Sequence, residues 1–98
     1  LKDIFRAKTK INKFCFIAKY LGDLKIPDEL YKIIGQNVAK YRKEKGLSQL
    51  DLSLAMGYKS VSVVSGAEIY YNGKHFNLEH LLKISQILNI EISEFLKP

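Results

Sequence analysis

Apolar residues return at helical spacing along most of this chain. Leu30, Ile33, Ile34, Val38 and Tyr41 recur every three or four positions, the period of one buried helix face. Pro27 suits a first helical position, and Asp28 and Glu29 complement the positive end of a helix dipole. Arg42, Lys43 and Lys45 followed by Gly46 are stop signals, so the pattern predicts a helix over about residues 27–45. Ser48 with Asp51 three positions on predicts an N-cap. Leu52, Ala55 and Met56 then form a short apolar stripe, and Gly57 supplies a left-handed exit. A second short helix over about residues 60–68 follows almost at once. Further on, Asn77 caps a helix carrying Leu78, Leu81, Leu82, Ile84, Ile87 and Leu88, with Asn89 as its exit. A last helical turn over residues 92–96 completes the pattern.

Two segments break this regularity. Residues 69–76 read Ile-Tyr-Tyr-Asn-Gly-Lys-His-Phe, and Asn-Gly between aromatic runs predicts a small hairpin with a tight type I′ turn. In the N-terminal segment, Leu1, Ile4, Phe5, Ile11, Cys15, Ala18 and Leu21 roughly fit a helix, yet residues 11–18 are rich enough in β-branched and aromatic types to be a strand. Periodicity leaves both readings open. A strand would pair with the hairpin or with the same segment of a second subunit. Gly22-Asp23 is the natural boundary, giving an N-terminal basic and aromatic arm, residues 1–24, and a core domain, residues 25–98. The expected fold is all-α: a compact five-helix domain with an arm and a small hairpin.

Composition narrows the class. At 98 residues with 47% hydrophobic positions, the chain suits one small folded domain. Its apolar runs are too short for a bilayer span, and no apolar stretch precedes a small-residue cleavage site. Cys15 stands alone and has no internal disulfide partner, which predicts a reducing, cytoplasmic setting. The net charge of +6 is unevenly spread: the chain before Gly46 carries +7 and the remainder −1. A basic half suits a polyanionic partner such as DNA, although a solvated lysine surface accounts for the same charge. Catalytic signals are missing. Cys15, His75 and His80 do not have the paired spacing of a zinc site, and no phosphate loop, dinucleotide fingerprint or nucleophile elbow is present. The expectation is a non-enzyme with no cofactor and no metal.

The helices predicted within residues 46–68 carry the functional reading. Two short helices joined by a glycine turn are what a helix-turn-helix needs to present its second helix to the major groove of double-stranded DNA. From about residue 34 to 96 the chain resembles the phage-repressor/Cro-like, XRE-type helix-turn-helix family. The matching residues are Ile34-Gly35, Leu47-Ser48-Gln49, Ala55-Met56-Gly57, Val64-Ser65 with Glu68, Leu78, Leu81, Leu82 and Ile84, and Ile92 with Phe95-Leu96. The resemblance implies a five-helix fold, a transcriptional regulator acting as a homodimer, and DNA as partner. It implies that Gln49, beside the cap Ser48, bonds a phosphate and buttresses the recognition helix. It also implies a structural Glu68 paired with a basic residue of the first helix.

Two departures stand out. The turn before the second helix, Gly57-Tyr58-Lys59-Ser60, is one residue longer than usual. The positions expected to face bases, Val61, Ser62, Ser65 and Gly66, lack the bidentate Arg, Asn or Gln that discriminates sharply. Lys59 and Ser60 are expected at phosphate or a base edge, Val61 or Val63 at a thymine methyl, and Lys74 at phosphate. Tyr70, Tyr71 and His75 share that loop, where packing explains them as well as DNA contact does. A sequence-specific repressor is therefore the leading expectation. The alternative is a protein-interaction module, antitoxin-like or adaptor, holding a protein partner through Phe14, Phe16, Ile17 and Tyr20 of the arm.

Overall fold

The stripe of residues 30–41 becomes the long first helix, α1, Asp28–Glu44, with Pro27 at its N-cap and both acids in its first turn. The computed structural model describes residues 27–98. The helix-or-strand question, the domain boundary and the partner-binding residues assigned to the arm all lie outside the described residues. Four further helices follow: α2 Gln49–Ala55, α3 Ser62–Glu68, α4 Leu78–Leu88 and α5 Ile92–Phe95. Among the described residues none is long and apolar enough to cross a membrane.

Local chemistry places the helix ends where the sequence puts the caps. Ser48 Oγ accepts the Asp51 N–H at 3.0 Å, and the Asp51 carboxylate accepts the Ser48 N–H at 2.9 Å, a reciprocal capping box. Those bonds hold the Asp51 carboxyl below its usual range. Gly57, with φ of 95°, ends the segment after α2. Asn77 opens α4 and Asn89, at φ 54°, closes it.

α1 packs across α3, α4 and α5, burying Ile34 and Val38 against Leu52, Val64, Phe76 and Ile84. Asn37 of α1 reaches the chain end, its amide donating to the carbonyls of Phe95 at 2.8 Å and Lys97 at 2.7 Å. This satisfies acceptors that a short terminal helix leaves open. Not every predicted core leucine is buried. On α4, Leu81, Ile84 and Leu88 face inward, while Leu78 and Leu82 remain 74% and 50% exposed, because the helix contributes one stripe to the core.

The predicted hairpin does not form. Among the described residues there is no strand, and Tyr71–Gly73 instead make a single 3-10 turn. Asn72 and Gly73 do take left-handed angles, φ 50° and 76°, as a tight turn requires. Tyr70 is left-handed as well, at φ 55°, which breaks the extended backbone on one side. Tertiary contacts explain the outcome: the Tyr70 hydroxyl donates to Asp28 at 2.9 Å, its ring stacks on Tyr31, and Phe76 is drawn into the core.

Gly35 lets α1 touch the end of α3. A Cβ there would stand 2.6 Å from the carbonyl oxygens of both Ala67 and Glu68, backbone atoms with nowhere to go. Gly35→Ala is therefore expected to destabilise the domain by about 3 kcal/mol, despite a helix-propensity gain of up to about 1 kcal/mol. Urea unfolding with a lowered midpoint checks this.

His80 occupies the third position of α4, where its Nδ1 accepts the Asn77 N–H at 3.1 Å. Burial against Tyr58 and Phe76 pushes the imidazole below its ordinary value near 6.5; Glu79 opposes that shift, and Lys83 and His75 add to it. The unfolded chain then binds the proton more readily than the folded one, so stability rises with pH across that range. Stability is expected to fall as pH drops through and below 6.5. His80→Gln, which keeps a side-chain acceptor for the cap, should flatten the slope in denaturant melts from pH 7.5 to 5.

Candidate nucleic-acid interface

The turn between α2 and α3 is built on backbone bonds. The Gly57 N–H donates to Leu54 O and the Tyr58 N–H to Ser53 O, both at 3.0 Å. The chain then runs exposed through Lys59, Ser60 and Val61 before α3 starts at Ser62. Ser60 and Val61, expected at the head of the second helix, thus belong to the turn and to its N-cap.

Glu68, the last residue of α3, joins this unit to α1. Its carboxylate accepts Arg42 Nε at 2.7 Å and Arg42 Nη2 at 3.1 Å, and Gln49 Nε2 at 2.8 Å. Arg42 Nη1 donates onward to the Leu47 carbonyl at 2.7 Å. Both charged side chains are buried, Arg42 6% and Glu68 5% exposed. The pair satisfies both carboxylate oxygens and anchors the guanidinium in a fork geometry that point charges lack. Arg42 was legible only as a helix stop signal. Its pairing follows from burial, which the basic cluster at residues 42–45 does not reveal.

A family model described as Helix-turn-helix matches residues 38–95. The chain belongs to the XRE-type helix-turn-helix family. The crystal structure of the restriction-modification controller protein C.AhdI from Aeromonas hydrophila is similar at 32% identity and a TM-score of 0.58, covering 66% of this chain and 94% of that one. A comparison with curated proteins finds no match. This helix-turn-helix protein is accordingly a DNA-binding regulator, and the two helices joined by the glycine turn are α2 and α3.

The expected site residues differ in exposure. Ser48, Lys59, Ser60, Val61, Ser62 and Lys74 are exposed and Ser65 is half-buried. Gln49 is half-buried and commits one amide hydrogen to Glu68, leaving its second for an outside acceptor. It buttresses α3 by direct contact with that helix's last residue. Gly66 departs from the expectation: it is buried, since the Lys74 side chain lies over it. The serine hydroxyls are partly engaged with one another. Ser60 and Ser62 share a hydrogen bond of 2.9 Å, and Ser65 Oγ donates to the Ser62 carbonyl at 3.4 Å.

Removing one member of the buried pair strands the other without a counter-charge. Glu68→Ala is expected to lose about 3–5 kcal/mol of stability. The double variant Arg42→Met with Glu68→Leu should recover most of that loss, because no unpaired charge remains. Thermal melts of the variants measure both effects.

Proposed function

We propose that this helix-turn-helix protein is a repressor that binds a pseudo-palindromic operator as a homodimer, with residues 60–67 in the major groove. The observation that carries the reading is the chain Arg42–Glu68–Gln49. It clamps the inner side and the carboxyl end of α3 to α1 and α2 and leaves Ser62 exposed. Half-sites about 34 Å apart, one turn of duplex, would match the two recognition helices of a dimer. Lys59 and the exposed start of α2 at Ser48 supply phosphate-positioning contacts, and occupancy of a promoter excludes polymerase. The short side chains at Val61, Ser62 and Ser65 favour recognition in which DNA shape contributes. The likeness to a restriction-modification controller makes the genes of such a system the first targets to test.

A second reading, a protein-interaction module, is favoured by the paired leucines left in solvent. Leu50 and Leu54 on α2 and Leu78 and Leu82 on α4 are each spaced four apart and 47–74% exposed. Such apolar pairs suit a protein surface, whether a second subunit or a different chain.

Fluorescence-anisotropy titration with random duplex and with DNA upstream of the protein's own gene, across a salt series, tests the repressor reading. The expected result is tighter binding to the promoter with affinity falling steeply as salt rises. The double variant Gln49→Ala with Lys59→Ala should bind roughly tenfold more weakly. No binding to either DNA at low salt would overturn the proposal, and a stoichiometric protein partner on co-purification would then favour the second reading. Sedimentation of the protein alone tests the dimer.

A further inference from the structure

The outward face of the recognition helix is short of polar reach. With Val64, Ala67 and Glu68 buried, the opposite side of α3 is made by Ser62, Gly66 and Ile69, spaced four and three apart. Ser62 and Ile69 are exposed, but Gly66 between them is buried. The cover is Lys74. A Cβ placed on Gly66 would stand 2.7 Å from Lys74 Cδ, 3.6 Å from its Cβ and 3.8 Å from its Cγ.

We propose that Lys74 is a base-reading residue of the recognition helix, delivered by the following loop and seated in the gap that Gly66 leaves. The inference rests on the DNA-binding reading above. The loop is shaped for delivery. Left-handed Tyr70, Asn72 and Gly73 turn the chain back on α3, the Lys74 N–H donates to the Tyr71 carbonyl at 2.9 Å, and Phe76 anchors the chain in the core. The alkyl stem lies across the helix while the residue as a whole stays exposed, its ammonium 6.0 Å from the Tyr71 ring centre. Among the described residues no carboxylate pairs with it in a salt bridge.

The chemistry names the base. An ammonium offers donors and no acceptor, and guanine presents two acceptors, O6 and N7, at its major-groove edge. The other three bases set a donor or a methyl at theirs. A lysine reaching from the middle of the outward face meets base edges, whereas the phosphates line the rims of the groove.

The test starts from the tightest-binding duplex selected from a random library and replaces each guanine in turn with 7-deazaguanine, which lacks the N7 acceptor. The wild-type protein is expected to lose about tenfold at one guanine of each half-site, and Lys74→Met to be indifferent to that replacement. Gly66→Ala should also be indifferent, because its Cβ displaces the lysine stem while the ammonium is retained. That variant keeps the fold: alanine is the better helix former, and only a flexible side chain must move. Retained 7-deazaguanine sensitivity in both variants would overturn the inference while leaving DNA binding intact. Uniform weakening of Lys74→Met across sequences, with a salt slope shallower by about one, would mark a phosphate contact and overturn it too. A wild-type protein that selects no sequence would remove the operator-binding reading and the inference together.

Discussion

The buried pair of Arg42 and Glu68 sets the geometry on which the rest of this domain depends. Two opposite charges sit almost out of water, where an unmatched charge is costly and a matched one is strongly directional. The carboxylate has no slack, since Arg42 takes both oxygens and Gln49 adds a further bond to one of them. Three segments therefore meet at one point: the end of α1, the start of α2 and the end of α3. The contact also requires a close approach of backbones. Gly35 supplies it by leaving α1 bare where the last carbonyls of α3 come down on it. Charge pairing and the missing side chain act together, because the pair fixes direction and the glycine permits the distance.

Rigidity at the end of α3 has a consequence for its exposed side. A seven-residue helix held at its inner face and its C-terminus presents one fixed surface, and on the proposed reading this limits the ordering cost of binding a duplex. That surface is made of hydroxyls and methyl groups, with polar length brought from outside the helix. Lys59 stands in the turn before α3 and Lys74 in the loop after it. On the proposed DNA-binding reading the recognition unit is wider than α3, and its chemistry depends on how the segments on either side of that helix are folded back on the core.

The helices themselves were readable from the chain because their signals are local. The Ser48–Asp51 box, the glycine exit at Gly57, the Asn77 cap and the Asn89 exit each act within a few residues, and each appears where the pattern put it. The segment around Asn72-Gly73 misled for the same reason. Its turn chemistry is local and correct, with both residues left-handed, but a hairpin also needs flanking strands with free backbone. Asp28 and Tyr31 take Tyr70, and the core takes Phe76, so nothing is left to pair. Likewise the α4 stripe overstates the core, since helical period alone does not say how wide a face its neighbours cover.

Local patterns in the chain were enough for the class of this protein: five helices in order over residues 27–98, two of them short and joined by a glycine turn, with capping boxes that mark where α2 and α4 begin. Backbone hydrogen bonding and apolar periodicity act over a few residues, and that is the range a sequence pattern displays. Long-range packing settled which cation is buried with Glu68, why Gly35 is bare, and that Gly66, on the outward face of α3, lies covered by Lys74 rather than open to solvent. Those are meetings of residues far apart along the chain. Their outcome turns on ångström-scale distances between helices, which the packing of the whole core sets.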